Sequence, residues 1–275
     1  MTRTNLISIN NLQLEYFVFG EGEEVVICLH GHGRTARDFE FLEATNRKVI
    51  SIHLFHHGNS IFPESRIENN PLRTEEFDEL FELILKEENI TKYHILAFSQ
   101  GGRFALCLLP FIVENLLSVT LIAPDGMDNH SFYNWSSRQK WARSLMKSFE
   151  SNPNRLIRLS KIAYKLRLMR PKVRDFVQEF SANKKLIVQA SYTWRSFRLL
   201  LPNNKAISKA IKTTKIPFLI IMGEYDQVIR PKQAYQFAKN IGIPECVIEI
   251  NNGHNFFKKS SINKFVGLLP FINNN

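Results

Sequence analysis

Residues 95–103 read Ile-Leu-Ala-Phe-Ser-Gln-Gly-Gly-Arg and place one serine, Ser99, between an apolar run and a pair of glycines. The apolar run predicts a buried strand, and the residues after Ser99 predict a helix. A serine at so sharp a strand-to-helix turn occupies strained backbone, so the residues two positions away on either side must be small. Ala97 and Gly101 meet that requirement. Ser99 is therefore a candidate nucleophile, and the alternative interpretation of this pattern is a helix N-cap after a strand.

Outward from this turn, apolar strands alternate with amphipathic helices along most of the chain. An antiparallel hairpin with its turn at Asn10-Asn11 comes first. The predicted strands are 6–9, 12–19, 25–29, 49–54, 93–98, 118–123, 217–222 and 246–250, and the helices between and after them are 37–45, 74–88, 102–113, 231–240 and 262–271. This alternation predicts an α/β protein with a mostly parallel central sheet flanked by helices.

The middle of the chain lacks this alternation of strands and helices. Residues 130–205 read as helices at 135–149, 155–169 and 171–180, without strands between them. Residues 130–215 carry 20 lysines and arginines against three acids, whereas acids outnumber bases by 23 to 16 in the remainder. We therefore predict a core domain of residues 1–129 and 206–275 with a basic helical insertion at 130–205.

The sequence around Ser99 resembles the G-x-S-x-G nucleophile elbow of the α/β-hydrolase family, with Ala97 in place of the first glycine. The strand at 25–29 ends in His30-Gly31-His32-Gly33, where this family carries its oxyanion loop. The resemblance implies the α/β-hydrolase fold, with the insertion as the lid over the active site. It also implies that the backbone N–H groups of His32 and Gln100 bind the oxyanion of a tetrahedral intermediate.

A base and an acid follow the last two predicted strands. His254 lies directly after the strand at 246–250, and Asp226 lies just beyond the strand at 217–222, where the family carries its acid. The chain order Ser, Asp, His matches the order of the α/β-hydrolase triad. We predict Ser99 as nucleophile, His254 as general base and Asp226 as the acid that orients it. Asp125, after the strand at 118–123, is a second place from which an acid could reach the histidine.

The histidine-rich loops do not predict a metal site. His53-Leu-Phe-His-His-Gly-Asn-Ser60 is similar to the D-L-P-G-H-G-x-S segment of the family, with His53 in place of the aspartate and His56 in place of a glycine. With His30, His32 and His57 these residues form no H-x-x-x-H helix, and no carboxylate recurs at ligand spacing. We expect them to support the fold and the site. No nucleotide-binding glycine loop is present, so we expect no cofactor.

The resemblance implies a hydrolase that cleaves an ester, thioester or related acyl bond of a small molecule. The basic residues of the lid are interpreted as a solvated surface or, alternatively, as lining the entrance and attracting an anionic substrate. The Ser-Gln-Gly-Gly-Arg stretch is also similar to that of the menaquinone-pathway synthase, so a C–C hydrolase or lyase acting on an anionic substrate is an alternative. A non-catalytic small-molecule binder is another. A nucleic-acid or anionic-membrane binder using the basic lid is a third, although no RRM, KH or helix-turn-helix pattern supports nucleic-acid binding.

The absence of long apolar runs and the placement of the cysteines bear on the cellular compartment of the protein. No apolar run reaches the roughly 18 residues of a membrane span, and no secretory signal is visible at the N-terminus. Each of the three cysteines, Cys28, Cys107 and Cys246, lies in an apolar stretch, as expected of buried thiols in a reducing compartment. We therefore expect a cytoplasmic protein without integral membrane association. The sequence leaves its oligomeric state open.

Overall fold

The computed structural model describes residues 2–128, 132–169 and 171–272. Its eight strands are β1 Arg3–Ile9, β2 Leu12–Phe19, β3 Glu24–Leu29, β4 Arg47–Ile52, β5 Tyr93–Phe98, β6 Leu116–Ile122, β7 Phe218–Gly223 and β8 Val247–Ile250. They form one sheet in the order β1-β2-β4-β3-β5-β6-β7-β8. The pairs β1·β2 and β2·β4 are antiparallel, and all the others are parallel. The predicted fold class, an α/β protein with a mostly parallel sheet, is confirmed.

Helices lie between and after these strands along the chain. They are α1 Arg66–Asn69, α2 Thr74–Glu87, α3 Gln100–Ile112, α4 Phe132–Arg138, α5 Lys140–Ser151, α6 Asn154–Lys165, α7 Pro171–Ser181, α8 Lys184–Ser196, α9 Asn204–Thr214, α10 Pro231–Ile241 and α11 Lys259–Phe265. Among the described helices, none has the length and apolar character needed to cross a membrane.

The order of the strands decides where side chains meet. From β3 the chain runs outward to β4 and then returns to β5 on the other side of β3, so the winding direction reverses beside β3. The carboxyl ends of parallel strands lie at one edge of a sheet, and ligands bind in the crevice at such a reversal. His30 follows β3 and Ser99 follows β5. The sheet therefore puts these two loops side by side.

The central strands are buried because they are apolar on both faces. Every residue of β5 is buried, and so are Val25 to Leu29 of β3. Parallel strands covered by helices on both sides show this continuous apolar pattern, which is why the sequence predicts them well. The core thus holds the ends of β3 and β5 rigidly.

Several helices differ from their predicted form. The segment predicted as a helix at 37–45 is a 3-10 helix, Ala36–Leu42, and the helix predicted at 135–149 is broken at Gln139 into α4 and α5. Helices α8 and α9 were not predicted. Each begins after an asparagine, Asn183 or Asn203, whose side-chain oxygen accepts hydrogen bonds from the first backbone N–H groups of the helix.

The chain clusters into two compact units. The larger comprises residues 1–63, 72–129 and 200–275 and contains the whole sheet, and the smaller comprises residues 64–71 and 130–199. The predicted domain boundary at residues 129–130 lies outside the described residues. Residues 64–71, which lie within the predicted core domain, belong to the smaller unit.

The smaller unit includes residues 64–71 because their charged and polar groups are bound within it. The carboxylate of Glu68 accepts hydrogen bonds from Arg143 Nε at 3.1 Å and Arg195 Nη1 at 2.6 Å. Arg198 Nη1 donates to the carbonyl of Ile67 at 2.6 Å. Arg143 and Arg195 are themselves buried. A buried guanidinium needs such partners, so this short segment is part of the unit's polar core.

Candidate active site

Ser99 occupies strained backbone between β5 and α3. Its φ is 48° and its ψ is −115°, a conformation that few non-glycine residues adopt. The turn is fixed by hydrogen bonds, since Ser99 N–H donates to Ile122 O at 3.0 Å and Ser99 O accepts from Asp125 N–H at 2.8 Å. A strained residue held this firmly projects its side chain in one direction.

Small residues around Ser99 let strand and helix approach. A Cβ on Gly101 would lie 2.2 Å from the carbonyl oxygen of Leu29, which belongs to β3 and cannot move. A Cβ on Gly31 would lie 2.7 Å from the ring of Phe98. These distances explain physically why glycine is needed at both positions.

The hydroxyl of Ser99 lies within hydrogen-bond distance of His254. Ser99 Oγ is 3.1 Å from His254 Nε2, and His254 Nδ1 is 2.7 Å from Asp226 Oδ2. The second carboxylate oxygen of Asp226 accepts the N–H groups of Val228 at 2.8 Å and Ile229 at 2.9 Å. Asp226 is almost fully buried. The structure therefore brings together the three residues that the sequence placed after β5, β7 and β8.

The arrangement fixes the tautomer of His254. A carboxylate can only accept, so Nδ1 carries the proton that is shared with Asp226 and Nε2 is left to accept the proton of Ser99. The loop that carries His254 is braced by Asn252, whose side-chain amide donates to Gly253 O at 3.1 Å and whose side-chain oxygen accepts from Ser261 Oγ at 2.8 Å. The carboxylate of Asp226 and the loop that Asn252 holds in place together orient the imidazole.

Asp125, the alternative acid, is bound to another group. Arg103 Nε donates to Asp125 Oδ2 at 2.8 Å and Arg103 Nη2 donates to Oδ1 at 2.9 Å, a bidentate pair. Arg103 Nη1 donates to Leu200 O at 3.0 Å. The acid bonded to His254 is Asp226 instead. The same contacts hold the arginine of the Ser-Gln-Gly-Gly-Arg stretch in the protein interior.

The two predicted oxyanion donors lie in the segments that follow β3 and β5. Gln100 is the first residue of α3, so its backbone N–H has no acceptor within the helix. His32 lies in the loop after β3, next to Gly33. Their function as oxyanion donors stays a prediction, because it concerns a reaction intermediate.

Two histidines join the loop after β3 to the loop after β4 by hydrogen bonds. His57 Nε2 accepts the N–H of Gly33 at 2.9 Å, and its Nδ1 lies 3.1 Å from the carbonyl of Phe55, to which it donates. His30 Nε2 accepts the N–H of Leu54 at 3.1 Å. Burial lowers the pKa of His57 to about 4, and burial followed by the nearby His57 lowers the pKa of His30 well below its ordinary value. Both rings are therefore neutral acceptors near pH 7.

His53, which stands where the family motif has an aspartate, is paired with a residue that the sequence analysis missed. His53 Nδ1 lies 2.5 Å from Glu15 Oε2, and Asn59 N–H donates to the same oxygen at 2.9 Å. Burial alone would raise the pKa of Glu15, but the hydrogen bonds from Asn59 and His53 outweigh it and lower the pKa. The only signal in the sequence was an acid at an inward-facing position of β2.

No group of three or more metal-binding side chains lies close enough together to hold an ion among the described residues. The histidines cluster nonetheless: the ring centroids of His30 and His57 are 4.7 Å apart, and those of His30 and His53 are 5.4 Å apart. Backbone groups, Glu15 and the hydroxyl of Thr35 take up the ring nitrogens of His30, His53 and His57. This cluster supports the loops around Ser99.

Comparison with known proteins gives a consistent picture. A family described as the alpha/beta hydrolase fold matches residues 24–260. No curated protein matches the sequence. The fold is similar to that of MGS-M2, an alpha/beta hydrolase from a Medee basin deep-sea metagenome library, with a TM-score of 0.67, 14% identity and coverage of 96% of this chain and 95% of that one.

Two further solved structures are similar over nearly their whole length. A carboxylesterase structure from Nitrososphaera gargenis has a TM-score of 0.65 at 14% identity, covering 97% of this chain and 98% of that one. The enol-lactonase of Burkholderia xenovorans LB400 has a TM-score of 0.62 at 15% identity, covering 94% and 96%. Identities this low establish the fold alone. Together with the family match over most of the sequence, they show that the chain belongs to the alpha/beta hydrolase fold family.

Proposed function

We propose that this protein is a serine hydrolase that cleaves an ester, thioester or related acyl bond of a small molecule. The observation that carries the proposal is the continuous hydrogen-bonded chain from Ser99 Oγ through His254 to the buried carboxylate of Asp226. A serine hydroxyl is a weak nucleophile until a neighbouring base accepts its proton. His254 is such a base, and its hydrogen bond to Asp226 holds it in the required tautomer.

In the proposed reaction Ser99 Oγ attacks the carbonyl carbon while His254 Nε2 accepts the hydroxyl proton. Asp226 stabilises the imidazolium that forms. The N–H groups of His32 and Gln100 bind the oxyanion of the tetrahedral intermediate. His254 returns the proton to the leaving oxygen or sulfur, and the acyl group remains on Ser99. Water, deprotonated by His254, then attacks the acyl carbon. As the bond between that carbon and Ser99 Oγ breaks, His254 returns the proton to Oγ and the carboxylic acid leaves.

The bidentate pair of Arg103 with Asp125 favours this reaction over the synthase-like alternative. An arginine that recognises an anionic substrate must present its guanidinium to the ligand, whereas this guanidinium is bound to Asp125 and Leu200. The complete chain of three side chains also favours an enzyme over a non-catalytic binder. Carboxylesterases and an enol-lactonase among the structural neighbours are consistent with ester chemistry at the level of the fold.

The test is a panel of neutral esters, carboxylated esters and acyl thioesters of several chain lengths, measured with the wild type, Ser99→Ala and Ser260→Ala. Ser260 is an exposed serine of α11 and serves as the matched control. We expect Ser99→Ala to lower kcat/KM at least about 10⁴-fold on the best substrate, and Ser260→Ala to leave it unchanged. Equal turnover by wild type and Ser99→Ala on every active substrate would refute the proposal.

A further inference from the structure

Helix α6 and the turn that follows it expose a row of aliphatic side chains. The exposed fractions are 43% for Leu159, 53% for Ile162, 63% for Leu166 and 78% for Leu168. Isolated exposed aliphatic residues are ordinary, but four within ten residues form a patch. The patch is unusual because these side chains belong to one short segment of the smaller unit.

The spacing places these residues on one face of α6. Leu159, Ile162 and Leu166 are three and four residues apart, so they fall within about 60° of one another around the helix axis. The flank of the helix beyond Leu159 carries Leu156, which is half-buried, and Ser160, which is buried, about 60° and 100° around the axis from Leu159. Because α6 already has an inward face, the exposed aliphatic row is a second apolar face that the fold of this unit does not cover.

Positive charge borders this row. Arg155, Arg158, Lys161, Lys165 and Arg167 are exposed, and none of them forms an ion pair with any other described residue. The sequence contains no acidic residue between Glu150 and Asp175. On the helical wheel Arg158 and Lys165 lie about 40° and 60° beyond Ile162, at one edge of the aliphatic row, and Lys161 lies next to Lys165 further from the row. The α6 face, defined here as these three cations with Leu159, Ile162 and Leu166, is therefore apolar and cationic together.

We propose that the α6 face docks on an anionic lipid bilayer surface. A helix that lies in the plane of an interface needs an aliphatic face to enter the acyl boundary and lysines or arginines to meet the headgroups. Charge complementarity selects anionic lipid over a second copy of this chain, since a symmetric contact would set the cations of two α6 faces against each other. It is also distinct from a nucleic-acid surface, which has no use for an exposed aliphatic row. The inference does not depend on hydrolysis at Ser99.

The probe is flotation of the intact protein with vesicles of phosphatidylcholine alone or mixed with phosphatidylglycerol. The charge variant is Arg158→Gln with Lys161→Gln and Lys165→Gln. The apolar variant is Leu159→Ser with Ile162→Ser. The matched control neutralises three exposed lysines of α9, Lys205, Lys209 and Lys212, and so removes the same net charge elsewhere.

We expect binding to the mixed vesicles, weak or no binding to phosphatidylcholine alone, and weaker binding as salt is added. The charge variant should bind the mixed vesicles about a hundredfold more weakly. The apolar variant should bind them at least about tenfold more weakly. Ser99→Ala and the α9 control should bind like the wild type, so that this result is separable from failure of the proposed hydrolysis.

Three results would overturn the proposal. The first is binding to mixed vesicles that is equal for the wild type and both α6 variants. The second is absence of vesicle binding by a wild type that is dimeric in light scattering and becomes monomeric with Leu159→Ser and Ile162→Ser, which would identify a second copy as the occupant. The third is absence of vesicle binding together with salt-sensitive binding of an RNA oligonucleotide. Circular dichroism spectra like that of the wild type would show that the variants fold.

Discussion

His57 shows how a single side chain supports the candidate site without belonging to its chain of proton transfer. Its ring accepts the N–H of Gly33 and donates to the carbonyl of Phe55, and so joins the loop that carries His32 to the loop after β4. This role requires a neutral ring, because an imidazolium cannot accept a hydrogen bond. Burial keeps the ring neutral by lowering its pKa to about 4.

Protonation of His57 should therefore destabilise the protein in acid. Because the folded-state pKa lies below the ordinary value of 6.5, the stabilisation is complete above that pH and is lost as the pH falls towards 4. We expect the free energy of unfolding to decrease over this interval, with His57 contributing on the order of 3 kcal/mol. Chemical denaturation of the wild type and His57→Phe at a series of pH values measures the difference.

The control for this prediction is His56→Asn, since the neighbouring His56 has a φ of +67°, which asparagine tolerates. This substitution removes an imidazole but keeps the hydrogen bonds through which His57 joins the two loops. We expect its stability to fall with pH as that of the wild type does, whereas the curve of His57→Phe should be flatter. Parallel curves for the wild type and His57→Phe would contradict this account of His57.

At the scale of the element, helix α2 combines a well-formed apolar face with one poorly placed acid. Phe77, Leu80 and Ile84 are buried on its inner side. One carboxylate oxygen of Asp78 is also buried and has no hydrogen-bond partner among the described residues. Burial first, and then the charges of Glu82, Glu79 and Glu75, raise the pKa of Asp78 to about 6. The helix therefore holds a carboxylate where a neutral group fits better.

Asp78→Asn should stabilise the protein at neutral pH. A folded-state pKa raised above the ordinary 3.8 means that stability present in acid is lost as the pH rises through about 6. Discounted for partial exposure, the variant should gain about 1 kcal/mol at pH 7 and little at pH 4. Thermal and chemical unfolding at both values measure this. Glu87→Gln, an exposed charge change on the same helix, is the control, and an equal gain from both variants would contradict a specific effect of Asp78.

The elements also show what the sequence could predict and why. Strand β5 was predicted with its observed bounds because both of its faces are buried, so an uninterrupted apolar run marks it. Helix α8 was missed because the signal for its beginning, the side chain of Asn183, is a single polar residue among many in a basic stretch. Patterns that depend on one hydrogen bond carry less information than patterns repeated along a whole element.

At the scale of the whole molecule, Ser99, Asp226 and His254 could be predicted together because the order of the strands determines which loops meet. Glu15 could not, since its contact with His53 depends on the register of β2 against β4, which pairs Tyr16 with Ile52. The inclusion of residues 64–71 in the smaller unit could not be predicted from the sequence either. It rests on Glu68 reaching two arginines far away in sequence.

The same contacts make a prediction about the stability of the smaller unit. Arg195 is 3% exposed at its side chain and pairs with both Glu68 and Glu150. Glu68→Gln removes one of these charges, and we expect amide hydrogen exchange in α5 and α8 to become about tenfold faster, because the exposed part of Glu68 limits the loss. Exchange in α3 should not change.

The control for this variant is Glu75→Gln, which alters an exposed charge of α2 in the larger unit. Hydrogen exchange followed by mass spectrometry resolves the two units in one experiment. Unchanged exchange in α5 and α8, or acceleration spread equally over α3, would show that Glu68 does not hold the smaller unit together.

The central claim, that Ser99 is activated by His254 and Asp226, is tested most directly by reaction with a fluorophosphonate followed by peptide mapping. This reagent reacts with a serine that a neighbouring base activates and needs no knowledge of the natural substrate. The account predicts a stoichiometric adduct on Ser99, its absence in Ser99→Ala and a large decrease in its rate of formation in His254→Ala. A well-folded wild type that forms no adduct at Ser99, or that reacts equally fast without His254, would contradict the account.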